Sequence, residues 1–219
     1  MTRITCEADL QAGMAGLQSL SKKRHGPQWQ AIIAATGAPP LRIQQDGFEG
    51  LARIIVSQQL SVASARAIWA KVEAIVTPLT PERFVAATDD ELRLAGLSRP
   101  KQRTLRAVAA AIVGQTLVLD GLHSATPEDI HAHMTAVSGI GPWTAHIYLM
   151  FCLGHADAFA PGDLALQEAA RIGFGLEARP NPKEMAVIAE NWRAWRGVAA
   201  RLLWSYYAVV KTRDGINAG

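Results

Sequence analysis

Cysteine is scarce in this chain: Cys6 and Cys152 are the only two among 219 residues. Two distant thiols exclude a disulfide framework and cannot supply the four thiolates of a structural zinc or iron–sulfur centre. A reducing, cytoplasmic setting is expected. Long apolar runs are missing as well. None approaches the roughly 20 residues needed to cross a bilayer, so no membrane partner is expected. The first residues lack the charged start, apolar stretch and small-residue cleavage site of an export signal, and none is expected. Apolar–polar alternation bounded by turns is not sustained anywhere, which argues against a sheet. A Gly-rich nucleotide loop and a cluster of metal ligands are both missing, so a small-molecule enzyme is not indicated. Repeats and low-complexity tracts are absent too.

The chain is 49% hydrophobic. That is enough to bury the core of one large domain or two intimate small ones without staples. Its periodicity is helical: Leu105, Val108, Ala109 and Ile112 fall at i, i+3, i+4 and i+7. Thr80-Pro81, Thr126-Pro127 and Asn181-Pro182 each set an N-cap residue before a proline at the first helical position. Asp129 and Glu184 stand where a capping box needs them, and Gly96 and Gly121 read as helix stops. Helices are expected at about 8–20, 27–36, 46–57, 61–76, 81–87, 89–95, 101–114, 127–136, 142–153, 163–174, 182–190 and 194–211. The fold class is all-α. The stretch 154–162 reads as the longest connection of the C-terminal half, and loops of that length are often functional.

Net charge is only +3, but the cations are grouped. Lys22, Lys23 and Arg24 form one cluster. Arg99, Lys101, Arg103 and Arg106 form another, with no acid from Ser98 through Ile112. Each cluster reads either as a solvated face or as a contact to phosphates, Arg99 and Lys101 being the candidates in the second.

The most informative segment runs Met134-Thr-Ala-Val-Ser-Gly-Ile-Gly-Pro-Trp-Thr-Ala145. A helix ends, a Gly-Ile-Gly turn follows, and Pro142 opens the next helix. Glycines 139 and 141 allow close backbone approach, and the turn leads main-chain N–H groups to a helix N-terminus, which suits an anion such as a DNA phosphate. Glycine punctuation of an ordinary helical hairpin would explain the tripeptide alone. Twenty residues beyond Trp143 stands Asp163, in Asp157-Ala-Phe-Ala-Pro-Gly-Asp163-Leu164. By position it is an N-cap, a role that is usually structural. That role is compatible with chemistry, because helix N–H bonds favour a carboxylate anion. Asp157 reads as a residue that holds the loop.

Together the two segments resemble the helix–hairpin–helix base-excision DNA glycosylases, whose hairpin reads hydrophobe-x-G-h-G-x-x-T-A and is followed by a D-x-F-x-P-x-D-L loop. The resemblance runs from about Phe48 to Val210. It includes Ile55-Val-Ser-Gln-Gln-Leu-Ser61, Leu94-Ala-Gly-Leu-Ser98, Trp195-Arg196 and the helix with Leu-Leu-Trp204. Members that also nick the strand carry a lysine where this chain has Trp143, and the four-cysteine cluster of other branches is missing. The departures point to the DNA-3-methyladenine glycosylase II branch, without the N-terminal β-rich domain of its long bacterial members.

The resemblance implies a monofunctional hydrolase that removes alkylated purines such as 3-methyladenine and 7-methylguanine from double-stranded DNA. Asp163 would be catalytic. Trp143, Trp204 and Tyr148 would line the base pocket, with Ile147 where some members place a tyrosine. Trp29, Trp69 and Trp192 read as core. Amides at Gly139, Gly141 and Thr144 would bind a phosphate, and the Gln58-Gln59-Leu60 turn would fill the gap left by the extruded nucleotide, with Gln59 or Leu60 as the wedge. A monovalent cation, Na+ or K+, is expected on the main-chain carbonyls of Thr135, Val137 and Ile140; no other cofactor is implied, and the protein is expected to be a monomer. Two helical subdomains would flank a DNA-binding cleft, residues 47–154 forming one and 1–46 with 155–219 the other. The alternatives are a glycosylase for deaminated or oxidised bases and a non-catalytic helix–hairpin–helix DNA-binding module.

Overall fold

In a computed structural model the described residues are 2–21 and 25–217; the Lys22–Lys23–Arg24 cluster lies outside them. The helices are α1 Glu7–Ser21, α2 Gly26–Thr36, α3 Gly47–Ser57, α4 Val62–Ile75, α5 Pro81–Ala86, α6 Asp89–Leu94, α7 Arg99–Val113, α8 Pro127–Thr135, α9 Pro142–Phe151, α10 Leu164–Phe174, α11 Pro182–Ala189 and α12 Arg196–Asn217. Short 3-10 turns, which the sequence pattern does not reveal, occupy Leu122–Ser124 and Glu190–Trp192. Among the described residues there is no strand, only an isolated bridge between Arg3 and His155. The protein is all-helical.

The helix starts follow local chemistry. Thr80, Thr126 and Asn181 each accept a hydrogen bond from a first-turn amide, with proline just inside the helix. Asn181 and Glu184 form a full capping box. Thr126 and Asp129 do not, since the Asp129 carboxylate takes the Thr126 hydroxyl rather than its N–H; the shorter aspartate stops at the side chain. An unforeseen capping box joins Thr88 and Glu91. Gly96 ends α6 at φ +83°, as expected of a left-handed stop. Gly121 does not end a helix: α7 already stops at Val113, and Gly121 opens the first 3-10 turn.

The chain divides into two compact units. One is continuous, Gln44–Leu153, and holds α3 through α9. Its core is built from Phe48, Leu51, Ile54 and Ile55 of α3, Leu105, Val108 and Ala109 of α7, and most of α9. Phe48 meets Phe84 of α5 edge-on, ring centres 5.6 Å apart. Trp69 is buried on α4, its indole N–H bonded to Glu73 and Arg53 stacked over its ring. The other unit joins residues up to Ile43 with those from Gly154 onward. Trp29 of α2, Phe174 of α10, Phe159 and Trp192 form its aromatic centre, Trp29 and Trp192 standing edge-on at 5.3 Å and fully buried. All three tryptophans expected in the core are there.

Candidate active site and nucleic-acid interface

The hairpin sits between α8 and α9. Ile140 is the hinge of the turn: its side chain is buried and its N–H donates to the Val137 carbonyl. Gly139 adopts φ +90°, and a methyl group there would come within 2.8 Å of Thr104 Cγ2 on α7. Only glycine satisfies both constraints. Gly141 is different: its φ is −87°, and a Cβ would meet nothing within 4 Å. It is the N-cap of α9, and no side chain caps the helix there. The first turn of α9 thus presents main-chain N–H groups at the positive end of a helix dipole, with open space in front of Gly141. Trp143 is half-buried in that turn.

Thr144 is buried, and its hydroxyl accepts a hydrogen bond from Gln58 Nε2 at 2.8 Å. Gln58, Gln59 and Leu60 form the turn between α3 and α4, with Gln59 and Leu60 exposed and Gln59 at φ +57°. Two expectations need correction in this unit. Tyr148 lines no surface: it is fully buried on α9, its hydroxyl accepts the Gly47 N–H at 2.8 Å, and burial pushes its titration well above the usual tyrosine range. Lys101, expected to reach out to a phosphate, is only partly exposed and is engaged within the unit. Its ammonium donates to the Val56 carbonyl at 2.6 Å and to the Gln58 carbonyl at 2.9 Å. Arg99 is exposed at the start of α7, on a groove of about 480 Å³ lined also by Arg93, Arg103 and Arg106. Asp90 pairs with Arg93 there and Asp89 with Arg106. Ile147, like its neighbours on α9, is core.

The connection from α9 to α10 leads into the other unit at Gly154 and is longer than its sequence suggests, spanning residues 152–163. Its backbone is tied down on several sides. Ile4 donates to the Gly154 carbonyl, Ala156 to Thr2, and Gly197 to Ala156. Asp157 takes a two-pronged ion pair from Arg196, both contacts at 2.9 Å, so it holds the loop. Trp195, beside that arginine, packs against α1 where Gly13 and Gly16 leave room for its ring. Gln167, buried on α10, donates to the Pro161 carbonyl.

This scaffold delivers Asp163 to the N-cap of α10. Its Oδ1 accepts from the amides of Ala165 at 2.9 Å and Leu166 at 3.0 Å, and from the indole N–H of Trp204 at 3.2 Å. Three donors on one oxygen fix the plane of a half-buried carboxylate, and a half-buried indole lies beside it. The pairing of Trp204 with Asp163 spans 41 positions, and spacing alone does not reveal it. Arg201, one turn before Trp204, is also silent in the sequence. It is buried against the Gly197 carbonyl, and desolvation lowers its titration to about 10.

The carbonyls of Thr135, Val137 and Ile140 belong to the hairpin itself, and Val137 already accepts one N–H. Among the described residues no group of three or more His, Cys, Asp or Glu side chains could hold a metal.

An all-helical protein with a glycine hairpin and an N-cap aspartate twenty residues past its tryptophan is of the helix–hairpin–helix class. More narrowly, the chain belongs to the HhH-GPD superfamily of base excision DNA repair proteins, whose family pattern matches residues 52–195. Over 191 residues it is 31% identical to a probable bifunctional transcriptional activator/DNA repair enzyme AlkA of Mycobacterium tuberculosis, an alignment covering 82% of this chain and 37% of that one. The chain therefore spans little more than a third of that relative. The crystal structure of a DNA-3-methyladenine glycosidase from Bacillus halodurans matches with TM-score 0.75 and 28% identity, covering 90% of this chain and 91% of that one. The 3-methyladenine DNA glycosylase Mag1 of Schizosaccharomyces pombe, solved with abasic DNA, matches in fold with TM-score 0.78 at 24% identity, covering 88% and 95%.

Proposed function

We propose that this protein is a monofunctional DNA glycosylase that hydrolyses the N-glycosidic bond of alkylated purines, 3-methyladenine and 7-methylguanine, in double-stranded DNA. The observation that carries the proposal is the Asp163 carboxylate, oriented by two helix amides and the Trp204 indole in a chain that also carries the glycine hairpin. The names of the relatives from M. tuberculosis and B. halodurans support it.

The division of labour follows from the chemistry. The amides around Gly139, Gly141 and Thr144 grip a backbone phosphate, and the hairpin carbonyls of Thr135, Val137 and Ile140 are the place for a monovalent cation. The Gln59–Leu60 turn fills the gap in the duplex once the damaged nucleotide is extruded, which costs a few kcal/mol and less for a damaged pair. An alkylated purine is cationic, so the faces of Trp143 and Trp204 attract it by about 0.5–2 kcal/mol. The same charge makes it a good leaving group without a strong general acid. As the C–N bond breaks, its electron pair leaves with the base, and positive charge builds on the sugar. The fixed Asp163 anion stabilises that charge and orients the water that adds to the sugar carbon, giving free base and an abasic site.

Position 143 decides between hydrolysis and strand nicking. An indole cannot form a Schiff base with the sugar, whereas a lysine would. Incubating the protein with a panel of duplexes carrying single alkylated, deaminated or oxidised bases, with and without borohydride, tests the proposal. Release of 3-methyladenine and 7-methylguanine with no trapped covalent adduct is expected. Release confined to oxidised or deaminated bases, or a trapped adduct, would refute it.

A further inference from the structure

The turn between α3 and α4 is held in a way its sequence does not explain. Gln59 occupies the left-handed region at φ +57°, a conformation that costs a non-glycine residue roughly 1–2 kcal/mol, and its neighbour Leu60 is exposed. Such a turn needs support from outside itself. Its own backbone bonds are long: Gln58 N–H to Ile55 at 3.4 Å and Leu60 N–H to Ser57 at 3.3 Å. The close contacts come from elsewhere. Lys101 reaches across from the first turns of α7 and donates to the carbonyls of Val56 and Gln58. These carbonyls lie at the C-terminal end of α3, where acceptors lack helical partners and the helix dipole favours a cation. The Gln58 side chain donates to the Thr144 hydroxyl, which is buried in the first turn of α9 just behind the hairpin.

We propose that Lys101 is a positioning residue. Its charge-assisted hydrogen bonds to Val56 and Gln58 lock the Gln59–Leu60 turn in the shape that enters the duplex, and the Gln58–Thr144 bond sets that turn in register with the phosphate-gripping hairpin. The role assigned to the turn rests on the glycosylase reading; the clamp itself does not. The assignment separates Lys101 from its neighbours in the basic cluster: Arg99 and Arg103 face solvent, whereas the Lys101 ammonium is bonded to two carbonyls and its partial burial lowers its titration.

Lys101→Met keeps the length and apolar body of the side chain and deletes its donors. Hydrogen exchange of the amides at 58–60, measured on the free protein, is expected to quicken at least about tenfold, for the loss of two supporting hydrogen bonds, while the rest of the unit keeps its protection. Release of 3-methyladenine from alkylated duplex is expected to slow about tenfold to a hundredfold, as misplaced groups do. Binding to undamaged duplex is expected to keep its affinity and salt slope. The rival role, a phosphate contact, makes a different pattern: uniformly weaker binding to damaged and undamaged DNA and a salt slope smaller by about one, with unchanged exchange at the turn. That pattern would overturn the proposal. Should Lys101→Met fail to fold, Thr144→Val, which removes only the acceptor for Gln58, is expected to shift exchange and turnover in the same direction, and no change in either would count against the register role. If the native protein releases no alkylated base, the glycosylase reading fails, while exchange at 58–60 still decides the clamp.

Discussion

Glycines 139 and 141 look alike in the sequence, yet the structure gives them opposite reasons. At 139 the backbone is left-handed and Thr104 stands where a methyl group would go. Gly139→Ala is therefore expected to cost about 1–3 kcal/mol of folding free energy in a denaturant titration. At 141 the backbone suits any residue and the space is open. Gly141→Ala is expected to leave stability within about 0.5 kcal/mol of the native protein. In the proposed phosphate grip its methyl group would stand in the way of the phosphate, so duplex affinity is expected to fall about tenfold, the worth of one charge-assisted hydrogen bond. The motif made both glycines visible, because it records what the backbone must do. It did not separate the two, since the Thr104 contact joins residues 35 positions apart. The contacts of Tyr148 and Lys101 are hidden in the sequence for the same reason. A tyrosine one position from a family pocket site and a lysine in a basic run have no local feature that marks them as buried against Gly47 or bound to α3 carbonyls.

The elements were far more legible, because what starts a helix is mostly local. Thr80-Pro81, Thr126-Pro127 and Asn181-Pro182 mark helix starts that the structure places at the same residues. Gly121 misled because a left-handed glycine also serves an isolated turn. The loop before α10 shows where local reading ends. Its motif was plain, but its anchors come from α12 and α1: Arg196 on Asp157, Gly197 on Ala156, and Trp195 seated on Gly13 and Gly16. Removing one anchor separates loop support from chemistry. Asp157→Asn keeps the size of the side chain and loses the charge of a half-buried ion pair. It is expected to lower folding stability by about 1–3 kcal/mol and to leave the identity of the released base unchanged, as thermal unfolding and base release would show. A change in which base is released would place Asp157 in the chemistry instead of the scaffold.

For the molecule as a whole, a net charge of +3 supplies little general attraction to DNA. On the proposed function, affinity comes from local grips, the hairpin amides and exposed arginines such as Arg99. The all-helical class was evident from periodicity, and each unit closes its own apolar centre. The glycine hairpin belongs to the unit Gln44–Leu153, and Asp163 to the unit that resumes at Gly154. One substitution addresses that account at its centre. Asparagine in place of Asp163 can still accept from Ala165, Leu166 and Trp204 through its side-chain oxygen, so the cap survives and only the charge is removed. Release of 3-methyladenine from alkylated duplex by Asp163→Asn is expected to fall at least about a hundredfold, with folding and duplex affinity retained. Turnover at the native rate in that variant would contradict the account.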